Sequence, residues 1–225
     1  MGATNWEPFT GEKLESGGFL SEITKEAMSR SGYNIQIEFL PWSRALLMIQ
    51  TGEIDGLMGT YYTTERLISA AFTDSLGKTD VVFFKLNDND APGHYSSLHE
   101  LEDFTIGNPR GYSVNPDFDQ AEFLNKEEVM SSYLNLKKLL AGRVDIIVDS
   151  RETIFYLLET HFKENKNDIE AITPILETKE IYIAFSRANP EYQKLITAFN
   201  NGLQEIRNDG TYEIVKKKHK LNIID

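Results

Sequence analysis

Cysteine is absent from the 225 residues. That removes disulfides, thiolate metal sites and cysteine nucleophiles from consideration. Positive charge is scarce: 23 Lys and Arg stand against 35 Asp and Glu, a formal net charge of −12. Phosphate binding needs a basic surface, so nucleic acid and anionic membranes are disfavoured as partners. The one basic cluster, Lys216-Lys217-Lys218-His219-Lys220, falls in a terminal helix and reads as a solvated face. No run approaches the ~18 apolar residues of a membrane span. The chain carries no phosphate-binding loop, dinucleotide fingerprint, nucleophile elbow or H-E-x-x-H pair. Its four histidines, His94, His99, His161 and His219, are scattered, whereas a metal site needs them to converge. No cofactor, no metal and no catalytic residue is expected. Met1 runs straight into Gly-Ala-Thr-Asn-Trp with no charged-then-apolar leader, which fits a cytosolic chain or a mature form with an added Met.

What is present includes a repeat. Leu46 to Asp55 reads LLMIQTGEID, and Leu136 to Asp145 reads LKKLLAGRVD. Each is a helical run that stops at a glycine (Gly52, Gly142), passes two residues and reaches an aspartate (Asp55, Asp145) ahead of an apolar run. A glycine just past a helix supplies a left-handed cap, and the chain then turns into a buried strand. Two such units suggest two lobes of similar topology.

The rest of the chain alternates in the same way. Helical spacing is read over Gly18 to Arg30, Pro41 to Gln50, Tyr133 to Leu140, Glu152 to Phe162, Pro190 to Arg207 and Tyr212 to Lys220. Strands are read at Ile35 to Phe39, Ile54 to Gly59, Val81 to Phe84, Thr105 to Gly107, Val144 to Val148 and Ile181 to Phe185. Ser97 and Glu100 form a capping-box pair before a short helix. Strands alternating with helices imply an α/β fold with mainly parallel sheets. Ligands in such sheets bind beyond the carboxyl ends of strands, which points to Trp6 to Phe9, Gly59 to Arg66, Arg110 to Ser113 and Asp149 to Arg151.

At these segments the sequence resembles the family 3 periplasmic solute-binding proteins of ABC transporters, the polar amino acid-binding type with the type II periplasmic-binding fold. The resemblance rests on Trp6-Glu-Pro-Phe9, Gly18-Phe19, Pro41-Trp42-Ser-Arg44-Ala, Gly52-Glu-Ile-Asp55 and Thr63-Thr-Glu-Arg66. It continues through Arg110-Gly-Tyr-Ser113, Leu140-Ala-Gly-Arg-Val-Asp145 and Asp209-Gly-Thr-Tyr212. No single motif is strong, but their order and spacing over nearly the whole chain are specific. The resemblance implies a discontinuous lobe 1, residues 1–84 plus 184–225, and a lobe 2 of residues 85–183. Two crossovers, Val81 to Lys85 and Glu180 to Phe185, would act as a hinge. It also implies residence in the periplasm and a membrane permease as partner. The first strand reads as cut short, with only Met1 to Asn5 ahead of Trp6.

Arg66 follows a strand and a Thr-rich turn, where a guanidinium can grip a carboxylate with two parallel hydrogen bonds. The resemblance assigns it the ligand α-carboxylate. Asp149 stands at the end of its strand; the resemblance assigns it the α-amino group, and a helix N-cap is the competing role. Trp6, Phe9 and Trp42 suit apolar or cation–π walls, or else core. Thr60 and Tyr61 follow a strand, and Tyr61 and Tyr62 point opposite ways if extended, so at most one faces a ligand. Backbone N–H groups at Arg110 to Ser113 can attract an anion. The family often has Gly-Thr or Gly-Ser there, and this chain inserts Tyr112, leaving open whether Ser113 or the Tyr112 backbone makes the contact. Arg110 and Arg44 either add positive charge for an anionic ligand or form surface salt bridges. Asp55 and Asp145 occupy equivalent positions in two lobes, which argues for local pairing rather than a catalytic dyad.

The leading expectation is a monomeric binding protein that captures a small polar solute, an amino acid, in a cleft between lobes. The first alternative is the sensing domain of a signalling protein, which the length of the chain disfavours unless the reading frame continues. The second is a cyclohexadienyl dehydratase-like enzyme, with Glu177 as the acid to examine and a surface carboxylate as its competing role.

Overall fold

The computed structural model describes residues 1–221. In chain order the elements are β1 (Gly2–Ala3), α1 (Phe19–Arg30), β2 (Glu38–Phe39), α2 (Trp42–Thr51), β3 (Gly56–Thr60), β4 (Ala70–Phe72), β5 (Gly77–Leu86), β6 (Thr105–Pro109) and α3 (Pro116–Gln120). They continue with β7 (Asn125–Val129), α4 (Ser132–Leu140), β8 (Ile146–Ser150), α5 (Arg151–Thr160), β9 (Ile169–Ser186), α6 (Tyr192–Asn208) and α7 (Thr211–Lys218). The chain divides into two units: unit 1 is Met1–Lys78 with Glu180–Asp225, and unit 2 is Thr79–Lys179. The sequence places the crossings at 84/85 and 183/184; the units divide at 78/79 and 179/180, inside the same two strands, β5 and β9.

The repeated segment becomes a repeated topology. In unit 1, α2 stops at Gly52 with φ of 79°, and β3 follows, parallel to β1 and antiparallel to β9. In unit 2, α4 stops ahead of Gly142 with φ of 63°, and β8 follows, parallel to β6 and antiparallel to β5. Each copy thus lies between a parallel neighbour and one of the two long strands that pass from unit to unit. The sheets are mixed rather than mainly parallel for this reason. Parallel pairs β1–β2 and β6–β7 extend each unit outward, and β4 adds antiparallel to β9.

The unit 2 strands β5 and β8 are buried almost without a break, and their side chains alternate between two cores, as a sheet covered on both faces requires. Val81, Phe83, Ile146 and Val148 pack with Leu101, Ile106 and Phe118 on one side. Val82, Phe84 and Ile147 pack with Leu136, Leu139, Ile154 and Leu157 on the other. Unit 1 buries Leu40, Ala45, Met48, Ile49, Ile54 and Leu57 of α2 and its neighbouring strands. In the same unit α1 buries Phe19, Leu20, Ile23, Ala27 and Met28, and α6 buries Phe199, Leu203 and Ile206. Gly202 of α6 meets the Ala27 carbonyl so closely that any side chain there would collide with it.

Two elements, β7 and β4, escape the sequence reading, while α3 is the helix expected after the Arg110–Ser113 loop. β7 is Asn-Lys-Glu-Glu-Val, an edge strand whose run of charged residues hides it. The five-residue α3 is signalled by Asn115, which accepts from the Phe118 N–H, and by Pro116 in its first turn. β4 is three residues long. β2 covers two residues instead of the expected five, because its partner β1 offers only Gly2 and Ala3 for pairing. β9 runs 18 residues, far beyond the apolar stretch that marks it.

Candidate functional site

Unit 1 gathers most of its candidates at the carboxyl end of β3. The strand shifts register between Met58 and Thr60, and Gly59 takes φ of 69°. A Cβ on Gly59 would lie 3.2 Å from the Trp6 indole, so glycine lets that ring sit against the strand. Trp6 closes a tight turn by pairing with Thr10 in both directions, at 2.9 and 3.0 Å. Its ring lies 4.3 Å from Phe9 and 5.6 Å from Tyr61, edge-on to the latter. Trp6 is partly exposed, and its indole N–H is buried without a partner among the described residues. Phe9 has no exposed surface and takes the core role, supporting Trp6 from behind.

The Arg66 backbone N–H donates to Thr63 Oγ1 at 3.2 Å, in the Thr-rich turn. Its Nη1 donates to Thr60 Oγ1 at 3.1 Å and to the Tyr61 carbonyl at 2.7 Å. The guanidinium carbon lies 5.1 Å from the centroid of the Trp42 ring, a cation–π contact. Thr60, Tyr61, Arg66 and Trp42 therefore converge. Tyr61 is buried; Tyr62, next to it, is half exposed and packs on Phe72, so the two tyrosines do point apart. Arg44 is exposed on α2.

In unit 2, Asp149 lies inside β8, fully buried. Ser150, not Asp149, is the N-cap residue of α5. Asp149 Oδ1 accepts the Ser150 N–H at 2.8 Å, and Oδ2 is buried with no hydrogen-bond partner among the described residues. Burial pushes the carboxyl up to about 7, against the opposing effects of the Ser132 hydroxyl and the Ser150 N–H. Ser132 opens α4, so the carboxyl is placed by the start of one helix and the residue ahead of another.

The loop after β6 is tightly organised. Arg110 N–H donates to the Val129 carbonyl at 2.8 Å and Tyr112 N–H to the Pro109 carbonyl at 3.0 Å. The Tyr112 side chain packs against the apolar core of unit 2. Ser113 Oγ donates to Asp119 Oδ2 at 3.3 Å. Arg110 pairs with Glu128 at 3.0 Å, both well exposed, which is the surface salt bridge of its two readings.

Asp55 and Asp145 pair locally. Asp55 accepts from Asn189 at 2.8 Å, and Asp145 from the Thr105 N–H at 2.8 Å, each one residue ahead of its strand. Glu177 is partly exposed, but its Oε2 is buried, 3.9 Å from Lys179 Nζ. Sequence reading missed the polar groups where β5 enters unit 2. Thr79 donates to the partly buried Glu152, whose carboxyl is pushed up by desolvation, and Asp80 accepts from Thr178 at 2.7 Å and faces Arg151 at 3.6 Å. The signal for them was two polar residues, Thr79 and Asp80, directly ahead of the apolar run from Val81 to Phe84.

The model of the bacterial extracellular solute-binding proteins, family 3, matches residues 2–222. The chain belongs to this family. A family resemblance read from eight short motifs is thereby established across almost all of its length. This family 3 chain is 23% identical over 224 residues to a Campylobacter jejuni protein described as a "Probable histidine-binding protein", covering 97% of this chain and 83% of that protein. Its fold matches a histidine kinase sensor domain similar to periplasmic binding proteins at a TM-score of 0.86, with 16% identity over 100% of this chain and 96% of that one. It also matches the substrate-binding protein of an amino acid ABC transporter at a TM-score of 0.79, with 20% identity over 96% of each chain. Both solved structures share the type II periplasmic-binding architecture with this chain.

Proposed function

We propose that this family 3 protein captures a small zwitterionic solute, an amino acid, outside the cytoplasm and delivers it to the permease of an ABC transporter. The observation that carries this reading is Asp149: a fully buried carboxylate with an oxygen that has no hydrogen-bond partner. A buried carboxylate is costly unless paired, and a ligand ammonium group supplies the missing partner. Arg66, oriented by Thr60, Tyr61 and Trp42, is the matching group for the ligand carboxylate. Trp6 and Tyr61 offer an aromatic wall to the side chain, and Ser113 is the residue of the Arg110–Ser113 loop that adds a polar contact, since the Arg110 and Tyr112 N–H groups serve Val129 and Pro109. The protein acts as a monomer in the periplasm, with hinge closure about β5 and β9 as the capturing motion. Thermal-shift screening and calorimetry over the proteinogenic L-amino acids test the proposal. At least one is expected to stabilise the protein, with the effect lost in Arg66→Ala. Stabilisation by none, or equal binding by the variant, overturns it.

A second reading is the input domain of a signalling protein, supported by the likeness to a kinase sensor domain. The same amino acid would then bind, but the reading frame would encode a transmitter region alongside it. Binding without turnover belongs to both readings; product formed from prephenate or arogenate would overturn it in favour of acid catalysis at Glu177.

A further inference from the structure

Lys179 is the last residue of unit 2, and β9 carries the chain from it into unit 1. Its side chain is buried, and Nζ donates to the carbonyls of Ser113 at 3.1 Å and Val114 at 2.6 Å. On the donor side of the same loop, Asp119 of α3 accepts from the Val114 N–H at 3.2 Å and from Ser113 Oγ at 3.3 Å. The peptide group joining Ser113 to Val114 is therefore held at both ends, its oxygen by a cation and its N–H by a carboxylate. A peptide group is planar, so the two bonds set its orientation and, through it, the direction of the neighbouring loop donors. Burying an ammonium group is costly, and an apolar residue would fill the same space without that cost. The charge here is spent on the two loop carbonyls and on Glu177 Oε2 at 3.9 Å.

We propose that Lys179 is a positioning residue: with Asp119 it holds the Arg110–Val114 loop in its binding geometry and ties that loop to the strand leading out of unit 2. The proposal rests on the reading of this loop as part of the ligand site. A change in β9 where the units divide would then reach the loop directly, through one side chain.

Amide hydrogen exchange of residues 110–115, followed without ligand, tests the positioning itself. Lys179→Met is expected to speed exchange there by about tenfold or more, at least the worth of one hydrogen bond to a charged group, while Ile146 to Val148 of β8 keep their protection. Lys179→Arg is expected to restore the slow rate. Unchanged exchange in Lys179→Met overturns the proposal. If that variant does not fold because Glu177 is stranded, Lys179→Met combined with Glu177→Gln removes the uncompensated charge, and Asp119→Asn loosens the same peptide from its other side. The second measurement is calorimetric titration with the proteinogenic L-amino acids. Lys179→Met is expected to weaken binding by about tenfold, and Lys179→Arg to rescue it. A loosened loop with unchanged affinity also overturns the proposal. Failure of the wild type to bind any amino acid overturns the proposed function instead, and the exchange rates still decide the role of Lys179.

Discussion

Arg66 and Asp149 carry opposite charges in opposite kinds of surroundings. In unit 1 the guanidinium is held by a hydroxyl, a carbonyl and an indole face before any ligand arrives. In unit 2 the carboxylate is fully buried, one oxygen has no partner, and its pKa is pushed up to about 7. Under the proposed function the two groups would act differently: Arg66, already directed by its neighbours, would orient the ligand carboxylate, and a ligand ammonium group would supply the partner that Asp149 Oδ2 lacks among the described residues.

The comparison breaks most sharply at Arg66. Arg66→Ala is expected to weaken amino-acid binding by about 100-fold, the usual loss for removing one side of a buried charge pair, with little change in melting temperature. Calorimetry and a thermal melt check the two halves. Asp149→Asn is expected to weaken binding by about tenfold or more while stabilising the unliganded protein on the order of a few kcal/mol at pH 8. The sign follows from the raised pKa. The folded protein keeps the Asp149 proton up to about 7, whereas the unfolded chain releases it near the ordinary aspartate value of 3.8. The contribution of this group to stability is therefore greatest at low pH, falls as pH rises between those values, and is flat above. Melting curves from pH 4 to 8 should show that slope in the parent and lose it in the variant. Affinity should run the other way, declining as pH drops below about 7, because a neutral carboxyl no longer attracts an ammonium group.

Smaller effects sharpen the picture of Arg66. Trp42→Ala removes the ring under the guanidinium and should weaken binding by about fivefold, in line with a cation–π contact of roughly 1 kcal/mol. Arg110→Ala removes only an exposed pair with Glu128 and should change affinity by less than about twofold. A larger effect there would mean that Arg110 meets the ligand.

The Asp55 and Asp145 repeats illustrate what was legible. Helix, glycine stop and buried strand are written in local residue types, and both copies fold as those residues dictate. Arg66 was legible too, since a strand, a Thr-rich turn and an arginine are consecutive. Lys179 was not. It serves Ser113 and Val114 from 66 and 65 residues away, and nothing near it in the chain distinguishes it from a solvated lysine. β7 was hidden for the opposite reason, because an edge strand can carry Lys126, Glu127 and Glu128 without the apolar alternation that betrays a strand.

By itself the sequence determined the class of fold, the family, the repeat within it and the neighbourhood of Arg66, because those depend on periodicity and on residues adjacent in the chain. Only the tertiary structure decided the rest. It buried Phe9 completely, turned Tyr112 onto a core, spent Arg110 on Glu128, and left Asp149 buried with an oxygen that has no hydrogen-bond partner. Burial and pairing are set by what distant segments place around a side chain, and a carboxylate reads the same in sequence whether water or a wall of β-strand surrounds it.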